Sequence, residues 1–209
     1  MDSIVNGARR YRGVPTKERQ AQRRALLIEA AIQVYGQQGY RRATVKAVCE
    51  AAGLTERYFY ESFANSEELL IASFNTVTYA AFDEILQAAQ AAGKERMERA
   101  RAMLYTYFDL LKRNPLSARV LLVEIQGVSP AVDQAFQVAL QTIRERAALI
   151  LAPPGWRPDR LLQAGVLGGV IQIALRWIAQ GYEPPIDEVT NTALQLVRVL
   201  WRKPTKCIR

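Results

Sequence analysis

Histidine is absent from the 209 residues, and cysteine occurs only twice. The missing histidine excludes Ser-His-Asp triads and most zinc sites. Two cysteines do not make a disulfide framework, and Cys49 is expected to be a small buried side chain. No paired-carboxylate or glycine-rich phosphate motif stands in the sequence. We therefore predict a protein that is not an enzyme and that carries no catalytic residue, metal or cofactor.

Strand signals and long apolar runs are also scarce. Sustained alternation of apolar and polar residues is not found, whereas helical periodicity recurs almost everywhere. The most apolar stretch, 161–175, is interrupted by Gln163 and Gln172 and is shorter than the about 20 residues that span a bilayer. These features predict an all-α, soluble and cytoplasmic protein without a membrane partner.

Glycine, proline and asparagine divide the helical pattern into nine segments. We expect two parts: a basic arm with a three-helix head over 1–65, and a helical ligand-binding and dimerisation bundle over 66–209. The predicted helices outside the pair at 44–63 cover about 16–38, 66–92, 95–113, 116–126, 131–151, 159–180 and 186–202.

The segment 44–63 predicts two short helices joined by a glycine. Thr44 and Thr55 precede the two helices, where their hydroxyls can cap backbone N–H groups. Gly53 stands at the sharp turn, which requires the left-handed conformation. Apolar residues are spaced to pack the helices on each other and on a third, which leaves polar and aromatic side chains outside. This is the pattern of a helix-turn-helix DNA reader.

The net charge of +8 is concentrated near the N-terminus. Between positions 9 and 24, seven arginine and lysine residues accompany only one carboxylate, that of Glu18. Standing alone, such a run is an ordinary solvated helix face. Beside a helix-turn-helix it suits a phosphate backbone.

With the three helices laid out, the stretch 27–69 resembles the tetracycline-repressor (TetR) family. The matching residues are Leu27-Ile28-Glu29-Ala30-Ala31, Gly39-Tyr40, Thr44-Val45, Glu50-Ala51-Ala52-Gly53-Leu54, Phe59-Tyr60, Phe63 and Glu67-Glu68-Leu69. The resemblance implies a homodimer on operator DNA, and a divergent C-terminal domain in which a small ligand changes the separation of the two readers.

The chain departs from the family pattern in the second reader helix. That helix begins Thr55-Glu56-Arg57-Tyr58-Phe59-Tyr60, where the family usually has Ser/Thr-Lys-Gly-Thr-Leu-Tyr. Ser66 stands where a lysine is common, so the positive charge has moved to the reader helix and the arm. These differences change which bases can be read, not whether the helix can dock.

Arg57 is the first candidate for a base contact, because a guanidinium can bond guanine O6 and N7 together. A phosphate contact or a plain surface charge is the alternative. By resemblance Tyr60 is a phosphate ligand, or else a packed ring with a solvated hydroxyl. Glu56 can accept from a cytosine amine or orient Arg57. The candidate DNA-binding residues are Arg9, Arg10, Arg12, Arg41, Arg42, Thr44, Lys46, Thr55, Glu56, Arg57, Tyr58 and Tyr60.

Two further sets are expected in the bundle, and ordinary core or surface packing is the alternative for each. Aromatic, apolar and a few polar side chains of the central helices can line a pocket. The pocket candidates are Tyr79, Phe82, Met103, Tyr107, Phe108, Glu124, Phe136, Gln172, Arg176 and Trp177. Small residues and an apolar stripe near the C-terminus can form a four-helix interface. The interface candidates are Gly165, Gly168, Gly169, Val189, Ala193, Leu196, Val197 and Leu200.

The sequence as a whole predicts a transcriptional regulator whose partners are double-stranded operator DNA, a second copy of itself and an unidentified small effector. We expect a homodimeric repressor that a largely apolar ligand releases from a palindromic operator. The alternative is an activator or architectural regulator with no small ligand, controlled by a protein partner. Operator binding that no ligand changes would favour that alternative.

Overall fold

The computed structural model describes residues 16–151 and 159–201, which form nine α-helices and no strand. We call α1–α3 the head and α4–α9 the body. The prediction of an all-α, two-part architecture is confirmed. The helices are α1 (Thr16–Gln38), α2 (Val45–Ala52), α3 (Glu56–Ser62), α4 (Ser66–Ala91), α5 (Arg96–Arg113), α6 (Pro115–Arg119), α7 (Pro130–Leu151), α8 (Arg160–Ala179) and α9 (Ile186–Arg198).

Capping side chains mark the starts of α2, α4 and α8. The Thr44 hydroxyl accepts the backbone N–H of Ala47 at 3.1 Å, which confirms its predicted cap. Asp159 caps α8 in the same way. Thr55 holds the corresponding place before α3, but its side chain makes no capping bond, so that prediction is wrong. Gly53 ends α2 at φ 65°, the left-handed conformation that glycine adopts without steric cost.

The prediction of one continuous α-helix over 116–126 is wrong. The α-helix ends at Arg119, and a π-helical turn follows over Val120–Glu124. In a π turn the backbone N–H bonds to the carbonyl five residues back, which widens the helix locally. Shorter departures occur elsewhere: a 3₁₀ turn over Tyr40–Arg42 precedes α2, and another over Val199–Trp201 replaces the last turn predicted for α9.

Two clusters of buried side chains hold the described residues together. The first lies around the head helices and contains Cys49, whose predicted burial is confirmed. Burial, and then the carboxylate of Glu56, raise the pKa of its thiol. This cluster also contains Val120 and Val132, so the π turn and α7 close it from the body side. The second cluster lies within the body, between α4, α5, α8 and α9.

Helices α4 and α8 are long and apolar enough to cross a membrane by length and composition alone. Core helices of soluble proteins pass the same test, and both of these pack against other helices of the body. They differ in burial: 39% of the apolar window of α4 is buried in the chain, but only 22% of that of α8. Much of α8 is therefore an apolar surface that the described residues of this chain leave uncovered.

The head meets the body most closely where α1 crosses α6. A Cβ atom added at Gly36 would lie 2.6 Å from the Cβ of Leu116, and 2.8 Å from its Cα and carbonyl oxygen. Glycine at this position lets the two helix backbones approach. Because backbone atoms form part of the contact, a rotamer change of Leu116 cannot relieve the overlap.

Gly36→Ala is expected to lower the free energy of unfolding by about 1–3 kcal/mol, the typical cost of overpacking a core. Chemical denaturation of the purified protein measures this change. Gln33→Ala, at an exposed position of the same helix, should stay within about 0.5 kcal/mol of the wild type. A Gly36→Ala protein as stable as the wild type would contradict the close contact.

Candidate nucleic-acid interface and effector cavity

The inner face of α3 anchors the helix and leaves its outer face to solvent. Phe59 and Phe63 are buried in the head cluster. The side chain of Arg57 is 84% exposed, and Tyr60 is 61% exposed although its ring stands edge-on to Phe59 at 5.1 Å. A helix with buried aromatic anchors and an exposed arginine and tyrosine has the geometry needed to enter a DNA groove.

The exposed arginine is held by a carboxylate on its own helix. Arg57 Nε donates to Glu61 Oε1 at 3.0 Å, and Arg23 of α1 approaches the other oxygen at 3.5 Å. The prediction that Glu56 orients Arg57 is therefore wrong, because the partner lies one turn further along. The Arg23 guanidinium also lies over the ring of Tyr58, 4.2 Å from its centroid. Glu61 thus shares its charge between the reader helix and α1.

The basic residues before α2 have partners within the chain. Arg42 Nε donates to the Gln38 carbonyl at 2.9 Å, and Arg41 reaches the Gly127 carbonyl at 3.2 Å. Lys46 remains largely exposed, with Glu50 3.9 Å away. Arg41 therefore connects the head to the loop before α7 in addition to its candidate role at the DNA. Among the candidates, Arg9, Arg10 and Arg12 lie outside the described residues.

A second link, which we call the Arg119–Glu124 clasp, joins the π turn to the head. Arg119 Nε donates to Glu124 Oε1 at 2.7 Å, and the other carboxylate oxygen accepts the backbone N–H of Tyr40 at 2.7 Å. Arg119 also donates to the carbonyls of Gly36 and Gln37 at 3.3 Å, the end of α1. Nearby, Ser129 donates to the Glu67 carboxylate at 2.8 Å. The clasp therefore fixes α1 and the turn before α2 to the body.

The body encloses a cavity of about 190 Å³ between α4, α5, the π turn, α7, α8 and the end of α9. Leu121 and Leu122 of the π turn form part of its wall. Most of the lining is aliphatic or aromatic. A cavity of this volume has room for one small molecule. Its apolar walls offer few hydrogen-bond partners to water. Of the pocket candidates, four line this cavity: Phe82, Met103, Tyr107 and Phe136.

The other six pocket candidates lie elsewhere, and each position has a physical reason. Glu124 serves the clasp, and Phe108 and Trp177 pack on each other, edge to face at 5.5 Å, in the body core. The Trp177 indole N–H donates to the Pro184 carbonyl at 2.7 Å. The remaining three have exposed side chains: Tyr79, Gln172 and Arg176.

Sequence reasoning missed three polar residues of the cavity wall, Thr78, Arg144 and Gln163. Helical spacing could have found the first two. Thr78 lies four residues from both Phe74 and Phe82, and Arg144 lies eight residues from Phe136, so each shares a helix face with lining aromatics. Thr78 and Arg144 are polar, whereas the residues expected to line such a pocket are predominantly apolar and aromatic.

The interface candidates divide between two faces. Val189, Ala193 and Val197 are buried in the core of their own body, which fits the alternative of intramolecular packing. Gly169 belongs with them, because an added Cβ would lie 2.9 Å from Leu196 Cδ1. An added Cβ at Gly165 or Gly168 would meet none of the described atoms within 4 Å, so the open face of α8 carries these two glycines. Leu200 lines the cavity and packs against the body core.

Comparisons with known proteins agree with this arrangement. The family model for bacterial regulatory proteins of the tetR family matches residues 27–73. The HTH-type transcriptional activator FasR of Mycolicibacterium smegmatis is 24% identical over 187 residues, which cover 88% of this chain and 82% of FasR. The HTH-type transcriptional regulator BetI of Rhizobium meliloti is 31% identical over 86 residues, which cover 41% of this chain and 42% of BetI.

Solved structures share the fold at low sequence identity. The fatty acid degradation regulator FadR of Bacillus halodurans superposes with a TM-score of 0.73 at 20% identity, covering 84% of this chain and 94% of that chain. FadR of Bacillus subtilis, solved in complex with stearoyl-CoA, gives a TM-score of 0.68 at 20% identity, covering 83% and 96%.

The three-helix head and the helical body define a helix-turn-helix regulator. The family match places the head, residues 27–73, in the tetR family of bacterial regulatory proteins, and most of the chain is similar to an HTH-type transcriptional regulator. The relatives are regulators, so the prediction of a regulator rather than an enzyme is confirmed.

Arg57→Ala is expected to cost about 1–3 kcal/mol of binding at one operator position and to relax the base preference there, because a bidentate guanine contact would be lost. Binding to a set of operator duplexes with single base changes measures the effect. Lys46→Ala is the matched control and should weaken binding to every duplex alike, as a phosphate contact does. Equal loss on all sequences for Arg57→Ala would contradict base reading.

Proposed function

We propose that the chain is a homodimeric repressor that a small, largely apolar ligand releases from a palindromic operator. The observation that carries the proposal is that the π turn Val120–Glu124 contacts the cavity and the head at once. Its leucines line the cavity, and its glutamate binds the turn before α2. A molecule that fills the cavity and moves this turn would move the head. The division into 1–65 and 66–209 belongs to the same proposal, and a regulator of this kind acts in the cytoplasm.

Self-association is supported by the exposed face of α8. Leu161 is 82% exposed and Leu162 is 37% exposed, and the open glycines Gly165 and Gly168 follow on the same helix. Contiguous apolar surface on a soluble protein marks an interaction site. A two-fold axis beside α8 would cover this surface and present two α3 helices to two half-sites, which explains a palindromic operator.

The cavity supports an effector with an acyl or similar apolar chain. Its wall is mostly aliphatic and aromatic, and FadR of Bacillus subtilis, which shares the fold, is solved with stearoyl-CoA. FasR is named as an activator, the opposite sign of regulation to the repression proposed for this chain. Control by a protein partner without a small ligand would leave the cavity unexplained.

Release from DNA would work by population shift. The effector need only prefer the body conformation in which the clasp is displaced, and its differential affinity for the two conformations sets the size of the effect. The clasp connects the cavity to the head. A ligand that moves Leu121 or Leu122 would also move Glu124, whose carboxylate accepts the backbone N–H of Tyr40.

Selection of bound fragments from random DNA with purified protein, followed by a ligand screen for release, tests the whole proposal. We expect a selected site with two-fold symmetry, one dimer per site, and at least one apolar ligand that releases it. An asymmetric site bound by a monomer would contradict the dimer. Binding that no ligand changes would contradict the effector.

Glu124→Ala is expected to separate effector binding from DNA release. The Tyr40 N–H and Arg119 would lose their partner, so movement of the π turn would reach the head weakly. The factor by which a releasing ligand lowers operator affinity should shrink about 3- to 10-fold, a coupling loss of about 0.7–1.4 kcal/mol, while ligand affinity changes little. Val123→Ala, an exposed neighbour in the same turn, should leave the factor unchanged. Unaltered coupling in Glu124→Ala would contradict the clasp's role.

Leu161→Asp is expected to yield monomers at concentrations where the wild type is dimeric, because it places a charge in an apolar interface. Light scattering after size exclusion measures the mass. Tyr105→Asp, at an exposed position of α5, should remain dimeric. A Leu161→Asp protein that stays dimeric would place the interface on another face.

A further inference from the structure

Buried polar atoms without partners gather around one place in this protein. Six side-chain nitrogen or oxygen atoms in the described part of the chain are buried and lack a hydrogen-bond partner. Four of the six belong to residues that line the body cavity: Thr78, Tyr107, Arg144 and Trp201. Unpaired buried polar groups are uncommon in folded proteins, and each one calls for an explanation. Their concentration on a single cavity points to a ligand that supplies the missing partners.

Three of these side chains are suited to the same chemical group. Thr78 is 2% exposed, so its hydroxyl is fully withdrawn from water. The hydroxyl of Tyr107 is also buried, and burial raises its pKa, so it stays protonated and able to donate. Arg144 carries a guanidinium, a planar cation with a fixed fork of N–H donors. Two hydroxyl donors and one guanidinium suit an acceptor that carries negative charge.

Arg144 has no carboxylate to pair with among the described residues. Its neighbour Glu145 is bonded to Gln141 at 3.0 Å, and the ion pairs formed by described residues do not include Arg144. Arg144 is half-buried, and its Nε is buried without a hydrogen-bond partner, which carries a desolvation cost. An anion in the cavity would remove that cost.

The register of α4 and α7 places Thr78 and Arg144 near one level of the cavity, which Tyr107 of α5 also lines. The Ser129–Glu67 bond and the contact of the Phe74 and Phe136 rings at 5.8 Å both join residues that are 62 positions apart. The two helices therefore run parallel with a constant offset, and Arg144 lies level with Phe82. Thr78 is one helical turn away from Phe82, about 6 Å along the axis.

Trp201 lies at a different height in the cavity from Thr78 and Arg144. Its ring is 5.8 Å from the guanidinium carbon of Arg96, the first residue of α5. Tyr107 is eleven residues further along α5, about 16 Å along the helix. The indole N–H is therefore a separate donor at the far end and takes no part in the group formed by Thr78, Tyr107 and Arg144.

We propose that the effector is a carboxylic acid with a medium-length alkyl chain, whose carboxylate is bound inside the cavity by Arg144, Tyr107 and Thr78. The cavity wall along α7 extends from Phe136 to Leu151. Arg144 divides that length into two apolar segments of about 10–12 Å. Each carbon of an extended chain advances by less than a bond length of about 1.5 Å, so one segment holds roughly 8–10 carbons. The inference rests on the proposed function of this cavity and names its ligand class.

Calorimetric titration of the purified full chain with decanoate, 1-decanol and decanoyl-CoA tests the inference. Decanoate is expected to bind at least about tenfold more tightly than decanol, the gain of a charge-assisted hydrogen bond over a neutral one. In Arg144→Met the two affinities should become equal within about twofold, while Tyr107→Phe should keep part of the preference. Arg146→Met is the matched control, since Arg146 is an exposed arginine of the same helix, and it should bind like the wild type.

Several outcomes would overturn the inference. Equal binding of decanoate and decanol by the wild type would do so, as would a preference that survives in Arg144→Met. Binding of decanoyl-CoA without binding of decanoate would assign the ligand to the thioesters instead. Without ligand, Arg144→Met should melt at the same temperature as the wild type or higher, because a buried Nε without a partner has been removed. A lower melting temperature would show a structural role and count against the proposal.

Failure of this inference and failure of the proposed function are distinguishable. The titrations contain no DNA, whereas operator release is measured on the wild type with an unrestricted set of ligands. Release by some other apolar molecule, with no binding of decanoate, would overturn the carboxylate and leave the repressor intact.

Discussion

The π turn Val120–Glu124 is the element on which the rest of the arrangement depends. Four of its five residues face three parts of the protein: Val120 is buried in the head cluster, Leu121 and Leu122 line the cavity, and Glu124 binds the backbone before α2. A π turn changes the spacing at which side chains recur along a helix. Because packed interfaces move between discrete arrangements rather than deforming smoothly, a small shift at the cavity can become a shift of the head.

The same region shows how the molecule trades stability for responsiveness. The Gly36–Leu116 contact and the clasp hold α1 against the body. The cavity, in contrast, leaves hydroxyls and a guanidinium without partners in the described part of the chain. Partly satisfied polar networks are poor for stability, and they are common where a ligand completes them. The body is thus anchored to the head at one end, and its cavity contains unpartnered polar atoms in the middle.

Much of this could be predicted from the sequence, because the decisive signals are local. The Thr44 cap, the left-handed Gly53 and the buried Phe59 follow from capping, backbone and periodicity rules that act over a few residues. The cavity and the clasp could not be predicted so well, because they depend on residues far apart in sequence. Glu124 looked like a pocket residue, and only its long-range partner at Tyr40, 84 residues away, reveals its place.

The most direct measurement of the central claim is the affinity of the releasing ligand for the protein, free and bound to a saturating operator duplex. Coupling between two sites is reciprocal for binding free energies. If cavity and head are joined through the π turn, operator DNA should weaken ligand binding by the same factor by which the ligand weakens operator binding. Identical ligand affinities for the free and the DNA-bound protein would contradict the account.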